Sequence, residues 1–553
     1  MTSPVRITFL GGLGEIGRNC ACVEIDERIL LLDVGLMFPD LEMLGVDLVL
    51  PDFTYLRDNA HRVDAAIITH GHEDHMGGLS FLLRELSFPI YGSALTLGLA
   101  RNRIEEAGLL SRTELIPVAD GERRRIGPGE LEFIPVTHSV PHGFATAFHT
   151  AQGTILHSGD LKLDSTPVDG RRTDLARIGA LASGEGIRLL LADSTNADEP
   201  GHTQSETSVG KVLYELFHTH KGRRVVVACF ASHIHRVQQI ADAAVAFGRK
   251  IATLGMSMKK NVDLARSMDL LHIPDGALVD IDDVTDLDPG EVCVICTGSQ
   301  GEPMSALSLM ATRDNRWLEI DENDTVILSS HPIPGNEMNV SKVIDGLVRL
   351  GADVVHSGLH DVHASGHAKQ EELKILLSTA HPEWFVPVHG EYRHLVAHAK
   401  LAREMGLPSD RIVVCDDGDQ LVLDSAGLRV AGQVPAGYLY VDGIVGDVGH
   451  GVLRDRRVLA EEGVVVVVVT VDVGDGALLT GPEVITRGWV YAPEAEPLLV
   501  QCADEVRQAV KEAFTEGATD IEALSRAVRH AAGRFVAERT RRRPMIVPVV
   551  MEA

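Results

Sequence analysis

Short apolar runs alternate with glycine-rich polar turns through the first 200 residues. ITFLGG (7–12), ILLLDVG (29–35), AAIITHGHEDH (65–75), LEFIPVTHS (131–139), TILHSGD (154–160) and RLLLADS (188–194) each predict a β-strand ending in a polar loop. Each also stops at a residue able to do chemistry, the usual layout where strand ends carry a site. Between residues 205 and 360 the pattern changes. Helical stretches such as SETSVGKVLYELFHTH (205–220) alternate with the strands RRVVVACFAS, KIATLG, EVCVICTGSQ and TVILSS, which predicts a separate parallel α/β unit. Histidine-rich loops return near 360, followed by EWFVPVHGEYRHL (383–395). AGQVPAGYLYVDG (431–443) has the Gly and Pro of a linker. The strand VVVVVVTVDV (464–473) and helices near 497–516 and 520–537 then predict a small α+β domain.

Composition narrows this picture. A chain of 553 residues exceeds one compact core, so several domains are expected. The run Val464–Val469 is far too short to span a bilayer and reads as a buried strand. MTSPVRITFLGG has no charged-then-apolar leader pattern, and seven cysteines without framework spacing suit a reducing interior. A cytoplasmic protein without a membrane partner is therefore expected. Cys293 and Cys296 lie inside an apolar strand and read as buried thiols rather than a metal or redox pair. A net charge of −28 argues against gripping nucleic acid over the whole surface, because phosphate contacts need Lys and Arg. Residues 526 to 543 are the exception, with seven Arg against a single Glu, and suit either a solvated helix or a local basic patch.

The decisive motif is His70-Gly71-His72-Glu73-Asp74-His75, three imidazoles and two carboxylates directly after the apolar strand AAIIT. Neutral imidazole and carboxylate suit zinc, and a loop can turn alternate side chains toward different ions. A histidine-rich surface tract is the competing reading. The strand before the motif and the helix start Met76-Gly77-Gly78-Leu79 after it argue against that reading. Further ligands are expected from other strand ends: His138, Asp160 and, much later, His389. Together these give five His and two Asp, enough for two adjacent zinc ions with a bridging carboxylate. Asp33 would hold one ligand imidazole from behind. Gly12-Leu13-Gly14-Glu15-Ile16-Gly17 imitates a dinucleotide fingerprint, but two strands rather than a helix are expected after it.

In this order the motifs resemble the metallo-β-lactamase superfamily, which implies an αββα sandwich. By that resemblance His70, His72 and His138 would hold one zinc and Asp74, His75 and His389 the other, with Asp160 bridging. His142 competes with His138. The 229-position separation of Asp160 and His389 corresponds to the insert of the β-CASP nucleases, with Asp193, His367 and His389 at its three motifs. FLGGLGEIGRNC, DSTNAD, CTGSQGEPMSAL, PIPGNEMNV, HASGHA and PVHGEY resemble the ribonuclease J family over nearly the whole chain. His142 and His331 depart from its usual Asp and Ser. The implied division is a metallo-β-lactamase domain at 1–205 and 361–430, a β-CASP domain at 206–360, a linker at 431–455 and a C-terminal domain at 456–553.

The resemblance implies a ribonuclease that requires two zinc ions, with Mn or Mg able to stand in. It would act 5′-to-3′ as an exonuclease and also as an endonuclease, in RNA maturation and mRNA decay, as a homodimer or homotetramer. Asp74 and Asp160 would orient the attacking water. His367 would steady charge or protonate the leaving oxygen, and Asp193 would hold His367 or a ligand in place. Ser232, Ser299, Ser365, Gly366 and His367 would cradle a 5′ phosphate, favouring 5′-monophosphorylated RNA. A catalytically weak RNA-binding scaffold and a small-molecule thioesterase or lactamase are the alternatives. The intact ligand set argues against the first, and the large insert against the second.

Overall fold

The computed structural model describes residues 3–40, 42–333, 335–443, 448–490 and 492–553. The chain divides into two units: residues 1–38 with 48–438, and residues 39–47 with 439–553.

The larger unit is built on two facing sheets. The first, of eight strands, runs in the order Gly427–Gln433, Asp419–Asp424, Val5–Gly11, Cys20–Ile25, Arg28–Leu32, Val63–Ile67, Ile90–Gly92, Leu115–Pro117. The second, of six strands, runs Trp384–Val388, Ile187–Asp193, Gly153–His157, Gly143–Thr150, Gly129–Val136, Arg123–Ile126. One apolar core joins them, with Ile7, Val23, Leu30 and Ile67 of the first sheet among Phe133, Phe144, Leu189 and Val386 of the second. The helices Leu175–Ser183, Gln370–Ala380 and Tyr392–Glu404 cover the outer face of the second sheet, so its central strands are buried on both faces and read as unbroken apolar runs. Its edge strand carries Arg123, Arg124 and Arg125, charges that discourage a further strand from pairing there.

The expected second α/β region is a five-stranded parallel sheet, ordered Lys250–Leu254, Val292–Cys296, Arg224–Ala228, Asp324–Leu328, Asp353–His356, with helices on both faces. Its last strand, DVVH, is short and half-polar, which hides it from an apolar-run search. The architecture is a metallo-β-lactamase sandwich with an inserted α/β unit. No helix follows the Gly12–Gly17 turn; the strands Cys20–Ile25 and Arg28–Leu32 do.

In the smaller unit a three-stranded sheet, ordered Ala477–Arg487, Val464–Asp472, Met545–Glu552, is covered on one face by the helices Ala492–Thr515 and Ile521–Thr540. Val465, Val467, Val469 and Val471 face those helices and their neighbours face away, the alternation of a half-covered strand. The stretch 431–455 holds the strand Tyr438–Val441 and the first turns of the helix Gly449–Glu461, while residues 444–447 lie outside the described residues.

Candidate metal centre

The centre forms along one edge of the sandwich because parallel strands end there together. Arg28–Leu32 runs beside Val63–Ile67, and Ile187–Asp193 runs between Gly153–His157 and Trp384–Val388. The register sets Asp193 opposite Val388, and this brings His389 to Asp160 across 229 residues of chain. Asp33 and His389 sit just past their strands at φ 61° and 53°, left-handed backbone that costs a non-glycine residue about 1–3 kcal/mol and clusters at functional sites.

Three groups of donors share the Asp160 carboxylate; two are rich in histidine, His70, His72, His138 and Asp160, and Asp74, His75, His389 and Asp160, and the third is Asp160, Asp193 and His367. Oδ2 of Asp160 lies 3.5 Å from His70 Nε2, 3.8 Å from His138 Nε2, and 3.2 Å from both His75 Nε2 and His389 Nε2. His72 Nδ1 is 3.0 Å from His70 Nε2 and 3.1 Å from His138 Nε2. The Nε2 atoms of His75 and His389 are 3.3 Å apart, each 3.5 Å from Asp74 Oδ2. Ligands about 2.0–2.2 Å from one tetrahedral ion stand about 3.3–3.6 Å from each other, so the donor set fits a divalent metal. A cavity of about 20 Å³ bordered by Asn19, Asp33, His75, Asp160 and His389 has room for one ion or one water.

The electrostatics divide the histidines. Burial holds His70 and His138 well below the ordinary imidazole value and His72 at about 4, leaving them neutral, the form that binds metal. Burial also opposes charge on His75, but Asp160, Asp74 and Asp33 outweigh it and raise its basicity. Burial pushes the Asp74 and Asp160 carboxyls up, yet His75 beside the first and His389 and His75 beside the second hold them well below the usual range.

A supporting layer orients these ligands. Asp33 Oδ2 accepts from His75 Nδ1 at 2.7 Å, which leaves Nε2 facing Asp160, and the Asp33 carboxylate also accepts from the backbone N–H and hydroxyl of Thr69. Thr69 Oγ1 lies 3.1 Å from His70 Nδ1. The Gly366 carbonyl accepts from His138 Nδ1 at 2.8 Å. Asp193 accepts from His367 Nδ1 at 2.8 Å and from the backbone and hydroxyl of Thr195 at 3.0 and 2.8 Å. Burial disfavours charge on His367, but Asp193 prevails and raises it to about 9. The His367 ring stands 4.9 Å from that of His138 and 5.5 Å from that of His389.

Asp33, the His70–His75 ligands, His138, Asp160, Asp193, His367 and His389 are thus brought together, and His142 lies in none of the donor groups. Ser365 reaches the same region, its Oγ accepting from Asn196 Nδ2 at 2.9 Å. Ser232 precedes the helix Ile234–Ala246, and Ser299 is buried beyond the strand Val292–Cys296. Among the described residues no hydrogen bond joins either serine to the Ser365 loop. Sequence reasoning missed Asn19, Thr69 and Thr195. Asn19 Nδ2 lies 3.1 Å from His75 Nε2 and donates to the Asp74 carbonyl, a contact its place at the end of a glycine turn does not reveal. Thr69 and Thr195 neighbour motif residues, and that adjacency was the available signal. All seven cysteines are free and buried.

A two-sheet sandwich with this histidine–aspartate centre at one edge defines a metal-dependent hydrolase of the metallo-β-lactamase superfamily. The superfamily description matches residues 13–210, and "Zn-dependent metallo-hydrolase RNA specificity domain" matches 352–414. Between and after these, "Ribonuclease J, beta-CASP domain" matches 222–347 and "Ribonuclease J C-terminal domain" matches 451–553. Ribonuclease J2 of Bacillus subtilis (strain 168) is 41% identical over 553 residues, covering 100% of this chain and 99% of that protein. Ribonuclease J of Mycobacterium tuberculosis (strain ATCC 25618 / H37Rv) is 42% identical over 551 residues, covering 99% and 97%. The chain belongs to the ribonuclease J family. A crystal structure of a protein of unknown function from Enterococcus faecalis V583 shares the fold, with TM-score 0.53 and 16% identity over 76% of this chain and 100% of that one.

Proposed function

We propose that this chain is a two-zinc ribonuclease that trims RNA 5′-to-3′, also cuts internally, and serves RNA maturation and mRNA decay in the cytoplasm. The observation that carries the reading is one buried carboxylate, Asp160, shared by two histidine groups, with the Asp193–His367 pair beside them. The names of the full-length relatives support RNA as the substrate. His70, His72 and His138 would hold one ion and Asp74, His75 and His389 the other, with Asp160 between them; Mn or Mg can stand in for zinc. Bound there, the metal supplies water activated near neutral pH and positive charge for the attacked phosphate. Asp74 and Asp160 orient that water. Asp33 fixes His75, and Asp193 keeps His367 protonated and aimed, so that His367 can pass a proton to the leaving oxygen.

The proposed division is a metallo-β-lactamase domain at 1–205 and 361–430, a β-CASP domain at 206–360, a linker at 431–455 and a C-terminal domain at 456–553. Ser232, Ser299, Ser365 and Gly366 would form the 5′-phosphate pocket, and the chain would assemble as a homodimer or homotetramer. The test is a time course on 5′-labelled RNA carrying either one or three 5′ phosphates, for wild type, a chelator-treated sample and His72→Ala. Wild type should trim the monophosphorylated RNA faster, and loss of metal should lower cleavage by orders of magnitude. Full cleavage by a metal-free sample would end the metal reading, and equal trimming of both ends would end the pocket reading alone.

A further inference from the structure

The arginines of residues 526–543 are not absorbed by the catalytic reading. In the structure Arg526, Arg529, Arg534 and Arg539 lie on the helix Ile521–Thr540, Arg539 against the Phe535 ring, and Arg541, Arg542 and Arg543 in the turn after it; all seven are exposed. The buried side of that helix, with Leu524, Val528, Ala531 and Phe535, faces the sheet. Carboxylates outnumber cations by 79 to 51 in this chain, and its arginines commonly pair: on the helix Gly449–Glu461, Arg457 reaches Glu42 and Glu461. Arg526 pairs with Glu522, the Arg542 guanidinium donates to the Glu461 carbonyl at 3.3 Å and Glu462 accepts from the Arg543 backbone N–H at 3.2 Å, but among the described residues no carboxylate forms an ion pair with the guanidinium of Arg529, Arg534, Arg541, Arg542 or Arg543. Among the described residues the acidic partner helix Ala492–Thr515 makes no ion pair with them. Nor does the helix dipole account for the pattern, since it acts only on the last turn, beyond Arg526, Arg529 and Arg534. Every basic residue of this stretch except His530 is arginine, the side chain whose fork matches phosphate oxygens.

We propose that this arginine face binds the phosphate backbone of single-stranded RNA without reading its sequence, holding substrate beyond the stretch engaged at the metal centre. The inference rests on the ribonuclease reading above for its choice of RNA over another polyanion. The test uses the full-length, metal-loaded chain with Arg529, Arg534, Arg541 and Arg542 all changed to Gln, and a second variant with all four changed to Lys. Binding of a cleavage-resistant phosphorothioate RNA of about 30 nucleotides is measured over a salt series, since each lost contact to single-stranded RNA removes about 0.7 from the slope of log affinity against log salt. The Gln variant should bind at least about tenfold more weakly at 0.1 M salt and lose about 3 from that slope, while the Lys variant keeps the slope. Cleavage of a fragment about four nucleotides long should be unchanged in both, which also reports a folded catalytic unit. Unchanged affinity and slope in the Gln variant overturn the proposal. So does a change in the mass of the assembly with an unchanged slope, which would make this face a protein contact. Failure of the wild type to cut any RNA would instead overturn the ribonuclease reading, and the salt series would still decide whether this face binds RNA.

Discussion

At the scale of single residues, the centre depends on groups outside the ligand set. Gly366 passes behind His138 so closely that a Cβ there would stand 2.5 Å from the imidazole Cε1 and 2.6 Å from Nδ1. Gly366→Ala must therefore displace a proposed ligand while leaving the core of the sandwich alone. The expected result is an unchanged circular dichroism spectrum with metal content reduced by about one ion per chain, read by elemental analysis, because a site short of one histidine holds its ion weakly. Wild-type metal content in Gly366→Ala would mean that His138 is not a ligand or that the loop yields.

At the scale of elements, the glycine turn of residues 11–19 is pinned by one buried arginine. Arg18, 1% exposed, bonds Glu15 at 2.7 Å, Asp417 at 3.0 Å and the Gly437 carbonyl at 3.0 Å, with Tyr438 against its face. Two carboxylates share one guanidinium, and burial together with Glu15 pushes Asp417 up to about 7. Its ordinary value is 3.8, so the unfolded chain gives up this proton first. The native state is then penalised increasingly as pH rises from 3.8 toward 7, the reverse of a salt-bridged aspartate whose pKa is lowered. Denaturant midpoints of wild type and Asp417→Asn, compared between about pH 4 and 7, should diverge, with wild type losing stability relative to the variant as pH rises. Parallel curves would show that Asp417 ionises normally.

At the scale of the molecule, every proposed ligand precedes residue 390, and the larger unit ends at Tyr438. The smaller unit has its own core around Val467, Val506 and Leu524. A chain ended after Gly443 is therefore expected to keep its metal and its cleavage of very short RNA, and to lose affinity for long RNA if the arginine face acts as proposed. Metal analysis, sedimentation and both cleavage assays on the shortened chain check this together. Loss of metal would show that the catalytic unit needs the C-terminal unit to hold its site.

Much of this protein was legible in its residues. Apolar runs ending at Asp33, His70, His138, Asp160 and Asp193 marked the strands and the donors together, because a buried strand must be apolar and a ligand must sit where it stops. The valine run at 464–469 likewise announced a strand, but six consecutive apolar residues predict burial on both faces, and only the packing of the two helices on one side makes alternate residues half-exposed. What remained hidden was whatever depends on register and close approach. The Asp193–Val388 pairing that returns His389 to Asp160, the Asn19 amide against His75, and the hydroxyl of Thr195 on Asp193 join residues far apart or chemically ordinary. One chain's residue order records the chemistry each position carries; which distant positions share a few ångströms was decided only when the sheets packed.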